Sequence, residues 1–378
     1  MPMSAPMFTS DSRLMLIAPH PDDEALACGI ILQHAVRADA PIRVVYATDG
    51  DDNPWPQRVL ERKWRLNAAD RKRWGKLRRA EALGALRILG VSASSVRFLA
   101  LPDQGLTDLL KCDCRSALER FRTVIRNWSP THLLVPSIAD THPDHSALAV
   151  MLRLVLAEFF SDRPQMSVWS YAVHGRSAAF FDGAQKLRQS RLEMAAKQRA
   201  IRSHKTQLKL SRWRFLAYAT RPEHFRKLVS AESSVADGPI RSISRQEHKL
   251  HVTLRLSAKP AKPIRSKQPK LFVLGHDPTG ALRCVDMQIP DRSFCVEMVD
   301  CFTEQRLGLA RYRGNAFAGE FTVPIDILSS AHALFVKLER RLWFFDEAGW
   351  LEIPQTARLE QIPAGERSFV EQPSLPIR

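Results

Sequence analysis

The sequence predicts an α/β protein: a Rossmann-like, mostly parallel sheet covered by helices, followed by a smaller all-β, sandwich-like C-terminal domain. Two observations carry this expectation. Over the first part of the chain, apolar runs of strand length alternate with helical patterns across short polar loops. Beyond residue 230 the texture changes to short alternating runs divided by Gly, Pro and Asp turns. The 378 residues, 45% of them hydrophobic, suffice for two cores. The expected divisions are a catalytic domain over 1–230, a linker over 231–245, a β-rich accessory domain over 246–354 and a loosely ordered tail over 355–378.

Leu14-Met15-Leu16-Ile17-Ala18 reads as a buried strand that ends in Pro19-His20-Pro21-Asp22-Asp23-Glu24, and residues 25–36 have the spacing of a helix. Residues 42–47 read as the second strand, with Thr48-Asp49-Gly50 opening its exit loop; this position makes Asp49 a wall of any site there. The long stretch 54–76 carries Trp55, Trp64 and Trp74 among arginines and lysines. Such interleaving suits sugar stacking, phosphate contact or nucleic-acid binding, and it equally suits a lid helix with a tryptophan packed inward. Residues 78–89 have helical spacing stopped by Gly90, and 98–101 form a strand entering Pro102-Asp103-Gln104-Gly105. A helix over 114–128 and a strand at Leu133 lead into Asp140-Thr141-His142-Pro143-Asp144-His145 and a helix over 146–160. A strand over 168–173 and a basic helix over 191–204 close the first domain. In the second, residues 248–256 alternate strictly, and further strands are expected near Leu271, Phe294, Phe321, Leu334 and Leu342.

Charge is unevenly placed. The chain carries a net +16, and residues 58–79 hold ten basic residues against two acidic ones. Residues 197–227 hold ten basic residues against Glu223 alone. A field of this kind attracts anions to particular places, although solvated helix faces also account for part of it. The six cysteines are scattered and match no zinc-finger spacing, so reduced thiols in a cytoplasmic protein are expected. No apolar segment approaches the ~18 residues of a membrane span, and the first residues lack a signal-peptide pattern. Cytoplasmic location is therefore the expectation, with peripheral contact at the inner membrane face left open.

Two loops carry the chemistry. His20 and Asp23, three residues apart after a strand, can turn towards one cation, with Asp22 left beside it to handle a proton. Capping of the following helix is the competing explanation for these carboxylates, and for Glu24. The second loop repeats the same grammar. Side by side, the two supply three ligands and leave one coordination position open, as in catalytic zinc sites.

Pro19-His20-Pro21-Asp22-Asp23-Glu24 paired with His142-Pro143-Asp144-His145 resembles the LmbE/PIG-L family of zinc-dependent N-deacetylases, which act on N-acetylated sugars and sugar conjugates. Thr48-Asp49-Gly50, Arg78 with Glu81, Leu101-Pro102-Asp103 and Ser203-His204-Lys205-Thr206-Gln207 agree with it, and Pro19 departs from it where many members carry Ala. The resemblance covers residues 14–225. It implies Zn2+ (or another divalent ion) on His20, Asp23 and His145, acidifying a bound water to a pKa of ~7. Asp22 would be the general base. His142 would face the oxyanion or protonate the leaving amine, and Asp144 would orient a histidine of the pair. Arg78 and Asp103 would contact the sugar, although Arg78 can equally pair with Glu81. The basic stretches extend the expected substrate to an anionic, nucleotide- or lipid-linked glycan. Two other classes compete: another zinc reaction on the same scaffold (a hydratase, or an amidase of small acidic conjugates), and a basic glycan- or nucleic-acid-binding protein. An intact ligand set opposes the second. Oligomeric state is not legible.

Overall fold

The computed structural model describes residues 6–162, 165–174, 178–181, 183–228, 238–246, 248–256, 268–329, 332–342, 345–353 and 358–360. The chain begins with β1 (Leu14–Ala18), five residues all buried, which leads to the short helix α1 (Asp23–Ala27) and then α2 (Gly29–Arg37). The single helix expected over 25–36 is thus broken at Cys28, whose backbone (φ −128°, ψ 9°) leaves the helical region. Next come β2 (Ile42–Thr48), α3 (Pro54–Glu61) and α4 (Ala68–Ile88). α4 starts well before residue 78 because Asn67 and Asp70 form a reciprocal capping box, each side chain accepting from the other's backbone N–H. β3 (Val96–Leu101), α5 (Leu106–Cys112), α6 (Arg115–Trp128), β4 (His132–Pro136), α7 (Pro143–Asp162) and β5 (Ser167–Tyr171) follow. After α8 (Ala178–Phe181), β6 (Gln185–Lys186), α9 (Arg191–Ser203) and α10 (Lys205–Leu216), β7 (His224–Lys227) completes the first sheet.

That sheet has the order β3-β2-β1-β4-β5-β7-β6. Its first five strands pair in parallel, and β7 joins β5 antiparallel. Chain order reverses at β1, which lies between β2 and β4, so the carboxyl ends of β1 and β4 open on the crevice where α/β proteins bind ligands. Both sheet faces are covered, and alternation along the strands decides which residues go where. Met15, Ile17, Val45, Leu133 and Val135 pack with α5, α6 and α7, while Leu14, Leu16, Val44, Tyr46 and Leu134 pack with α2, α4 and α9.

The C-terminal strands are β8 (Ile240–Gln246), β9 (Lys249–Arg255), β10 (Lys270–His276), β11 (Leu282–Gln288), β12 (Arg292–Asp300), β13 (Arg306–Asn315), β14 (Ala318–Pro324), β15 (Leu334–Glu339), β16 (Arg341–Leu342), β17 (Phe345–Asp346), β18 (Leu351–Ile353) and β19 (Arg358–Glu360). Ten of them form one antiparallel ladder, β18-β15-β10-β11-β12-β13-β14-β9-β8-β19, rather than the two separate sheets of a sandwich. Inward residues from Ile240 to Ile353 make one buried cluster, which a sheet of this width achieves by curling over its own core. β8 begins inside the stretch expected as linker, and β19, from the expected tail, pairs with it. The other tail residues, 355–357 and 361–378, lie outside the described set, as do linker residues 231–237.

The two sheets share a core. Phe272, Leu274, Phe335 and Trp350 belong to the same cluster as α5 and α7, and full burial of each such side chain contributes about 1.5–3 kcal/mol. Asp346 N–H donates to Thr141 O (2.9 Å) and Trp350 N–H to Ile138 O (3.0 Å). Between them Gly349 touches the backbone: a Cβ there would lie 2.1 Å from Ile138 O and 2.9 Å from Asp140 O. Gly349→Ala is therefore expected to destabilise the protein by about 1–3 kcal/mol. Thermal unfolding reads this as a melting temperature lowered by several degrees, and an unchanged value would contradict the contact.

Candidate active site

The turn after β1 is strained. Asp22 has φ 136°, a region that non-glycine residues rarely adopt, and its side chain makes no helix-cap hydrogen bond. Its N–H donates to Glu24 Oε2 (2.8 Å), and Glu24 Oε1 meets His204 Nε2 at 2.8 Å. The buried Glu24–His204 pair thus ties the N-terminus of α10 to this turn. Arg78, buried on α4, donates to Pro21 O (2.5 Å), Gly50 O (2.9 Å) and Asp22 Oδ2 (2.9 Å). It pairs with Asp22 rather than Glu81, whose carboxylate instead accepts from Thr206 N–H and Oγ1. Side-chain capping therefore does not explain Asp22, whereas Glu24 both accepts the N–H of this cap residue and pairs with His204.

His20, Asp23 and His145 converge. His20 Nδ1 lies 3.2 Å from His145 Nε2, and Asp23 Oδ2 lies 3.5 Å from the first and 3.4 Å from the second. Four ligands at ~2.0–2.1 Å in a tetrahedron are ~3.3–3.4 Å apart, which is the edge of this triangle. The remaining ring nitrogens face acids. His20 Nε2 is 3.2 Å from both Asp103 Oδ1 and Asp144 Oδ2, and His145 Nδ1 is 3.2 Å from Asp140 Oδ2. Carboxylates there hold the ring protons on the far side, so each neutral ring turns a lone pair towards the triangle. Three lone-pair atoms this close repel one another unless a cation sits among them, and an N,N,O set suits a divalent metal. The residues present fit such an ion.

Each carboxylate is fixed in turn. Asp140 Oδ2 accepts from Val173 N–H (2.9 Å) and His174 N–H (3.0 Å). Asp144 accepts from Gln104 N–H (2.6 Å) and Leu106 N–H (3.1 Å), and Asp103 from Asp52 N–H (2.6 Å). Asp144 thus lies against His20, from the other loop, and not against a histidine of its own pair. Asp103 is likewise turned onto His20. Asp49 sits at the periphery in a two-point pair with Arg79 (2.7 and 2.5 Å).

Electrostatics follow from burial and these neighbours. Burial alone would raise Asp23, but His145 and His20 hold it well below the usual carboxylate range. Burial and the Asp23 charge push Asp22 up to about 6, against the pull of Arg78. Burial opposes charge on His20 and His145, yet the surrounding carboxylates raise both. A cation in the triangle would displace protons from these rings and draw Asp22 back towards its ionised form.

His142, half-buried, has its ring 4.9 Å from His20 and 4.8 Å from His145. Asp144 N–H donates to His142 Nδ1 (3.2 Å), which leaves Nε2 to carry the neutral ring's proton. That tautomer makes His142 a donor rather than a ligand. His174, at the exit of β5, brings its ring 5.0 Å from His145, and burial depresses it to about 4. Asp140, His174 and His204 were not among the residues singled out from sequence for a role. The available signals were a histidine at a strand's carboxyl end and an acid two residues before His142. Of the tryptophans, Trp74 is buried, whereas Trp55, Trp64 and Trp213 are exposed; Arg58 lies over both Trp55 and Trp64.

Residues 15–156 match the family model described as GlcNAc-PI de-N-acetylase (PIG-L). This stretch of the chain is thus similar to the PIG-L family. The 1D-myo-inositol 2-acetamido-2-deoxy-alpha-D-glucopyranoside deacetylase of Mycobacterium avium (strain 104) is 33% identical over 147 residues, 35% of this chain and 47% of that protein. The protein of the same name from Mycobacterium tuberculosis (strain F11) is 32% identical over the same length and shares. The chain thus spans about half the length of the curated relatives it matches. Among solved structures, N,N'-diacetylchitobiose deacetylase from Pyrococcus horikoshii is 19% identical with a TM-score of 0.44, over 57% of this chain and 84% of that one. No described helix is long and apolar enough to cross a membrane.

Proposed function

We propose that the protein is a metal-dependent amide hydrolase that removes the N-acetyl group from an N-acetylated sugar or sugar conjugate. The observation that carries this is the triangle of His20 Nδ1, Asp23 Oδ2 and His145 Nε2 with the Asp22 carboxylate beside it. These three residues would hold a divalent cation, Zn2+ first among candidates. When bound, the ion supplies Lewis acidity, which lowers the pKa of water and polarises a carbonyl.

The chain's own groups do the rest. Asp22 takes a proton from the attacking water as its oxygen bonds to the acetyl carbon, and returns it to the sugar nitrogen as the C–N bond breaks. Products are acetate and the free amine. Arg78 keeps the Asp22 carboxylate turned to the site. His142, with its proton on Nε2, donates to the oxygen that gains charge in the tetrahedral transition state. Asp103 and Asp144 hold His20, and Asp140 holds His145, each in the tautomer that ligation needs. Arg78 and Asp103 thereby act as positioning residues, and Asp49, at the periphery, is one residue within reach of the sugar.

We further propose an anionic substrate. Several cations of residues 58–79 are already paired, including Lys63 with Asp70, Arg73 with Glu61, Arg78 with Asp22 and Arg79 with Asp49. Arg62, Arg65, Lys72 and Lys76 remain exposed with no ion pair among the described residues, and the exposed Trp55 and Trp64 lie in the same part of the chain. Amine release from neutral acetylated sugars, sugar nucleotides and lipid-linked acetylated sugars tests both statements. Hydrolysis of anionic members that weakens several-fold between 50 and 200 mM salt, roughly the screening range for exposed charges, is the expected result. Release from none of them would overturn the hydrolase reading.

A further inference from the structure

The second domain reaches the site. β17 places the Phe345 ring 5.1 Å from His174 and 5.9 Å from His142, two histidines whose rings lie against His145. Arg214, on α10, lies over the Phe345 ring at 5.2 Å. Phe345 is only half-buried, so part of the ring is left uncovered. Arg214 covers one face of the ring, and the part that half-burial leaves open, next to a histidine that carries a donor, has the composition of a sugar-binding wall.

This wall is anchored. Lys337, fully buried on β15, pairs with Asp346 at 2.6 Å, and Asp346 N–H bonds to Thr141 O on the loop that precedes His142. A buried ion pair contributes little net stability but fixes one geometry, because leaving either charge unpaired is costly. Gly349 and Trp350 lock the following residues onto Ile138–Asp140, the start of the same loop. Phe345, Asp346, Gly349 and Trp350 of one short segment thus all touch the ligand-bearing loop 138–142.

We propose that the C-terminal β domain completes the active site, and that Phe345 is a specificity-determining residue on which the apolar face of the N-acetylated pyranose ring packs. This assignment rests on the hydrolase reading above and deepens it. The hydrophobic face of a hexose offers axial C–H groups to an aromatic ring, while the acetamido group extends past His142 towards the triangle. A domain with no catalytic cluster among its described residues thereby acquires a role in recognition.

The test uses the full-length protein and the variants Phe345→Ala, Phe345→Leu and Phe345→Tyr. Binding of N-acetyl-D-glucosamine is followed by saturation-transfer NMR, and turnover is followed in parallel as amine release. Phe345→Ala and Phe345→Leu are expected to lose the N-acetyl-D-glucosamine signal and to raise KM about ten-fold or more, with kcat changed less than three-fold. Phe345→Tyr, which retains the ring, is expected to stay near wild type. Circular dichroism and thermal unfolding of each variant separate this from loss of fold, and the leucine variant keeps apolar bulk in place. Equal binding and KM in wild type and Phe345→Leu would overturn the assignment. Absence of N-acetyl-D-glucosamine binding in the wild type would overturn it too, and the turnover assay then tells whether the hydrolase reading stands alone.

Discussion

Asp22→Asn is expected to lower the rate of amide hydrolysis by about 10²–10⁴-fold, the range for removing a positioned general base. The same variant should still bind one divalent cation per chain. The substitution is nearly isosteric, so it preserves the shape of the turn, the bond from Arg78 and the donation of its own N–H to Glu24. It removes only the capacity to take a proton. Asp22 is singled out because its main chain is strained at φ 136° while its carboxylate is buried beside the triangle. Strain of this kind persists only where surrounding bonds over-determine it, here those of Glu24 and Arg78. Steady-state amine release with metal content read on the same sample checks the expectation. A loss below ten-fold would assign the proton transfer to another group.

His145→Ala should abolish stoichiometric cation binding and hydrolysis together, and Asp140→Ala should give a graded version of the same defect. His145 contributes Nε2 to the triangle, and two donors, His20 Nδ1 and Asp23 Oδ2, are too few for tight binding. Asp140 acts through His145 Nδ1, and loss of such a carboxylate typically weakens metal affinity 10–100-fold. Titration with Zn2+ against a competing chelator distinguishes the two variants. An Asp140→Ala protein with wild-type affinity would show that His145 is oriented by packing alone.

Much of the site was legible because both clusters directly follow strands, and the strands prove to be neighbours in the sheet, β1 beside β4. Residue type, position after an apolar run and repetition of the pattern marked the two loops, and the choice of His145 over His142 as the ligand rested on the family resemblance. What was not legible is the direction in which loop side chains point. Asp144 crosses to His20, and His145 is served by Asp140, five residues earlier, because the turn at Pro143 starts α7 and rotates successive side chains apart. Arg78 was read as a substrate contact or a partner of Glu81, yet it lies across the crevice on Asp22, a contact between residues 56 apart that no spacing rule encodes. The start of α4 was available in principle, since Asn67 and Asp70 have capping-box spacing.

The second domain was legible as a set of alternating strands, but its relation to the site was not. Strand alternation specifies which face is buried, not which neighbour buries it. Phe272 and Leu274 read as ordinary inward residues of β10, yet they sit in the core of the first domain with α5 and α7, while Leu271 and Val273 face the β core. Both faces of this strand are buried, one in each domain. That arrangement brings Phe345 to the site, and no local sequence pattern signals it.

The central claim is that one divalent ion on His20, Asp23 and His145 makes this a hydrolase of N-acetyl groups. Stripping the full-length protein with a chelator, returning Zn2+ stepwise and measuring amine release from a responsive acetylated sugar conjugate at each step tests it most directly. Activity is expected to be absent at zero and to rise linearly to a plateau at one equivalent per chain. Hydrolysis that persists in metal-free protein, or zinc bound at one equivalent with no amine released from any acetylated conjugate, would contradict it.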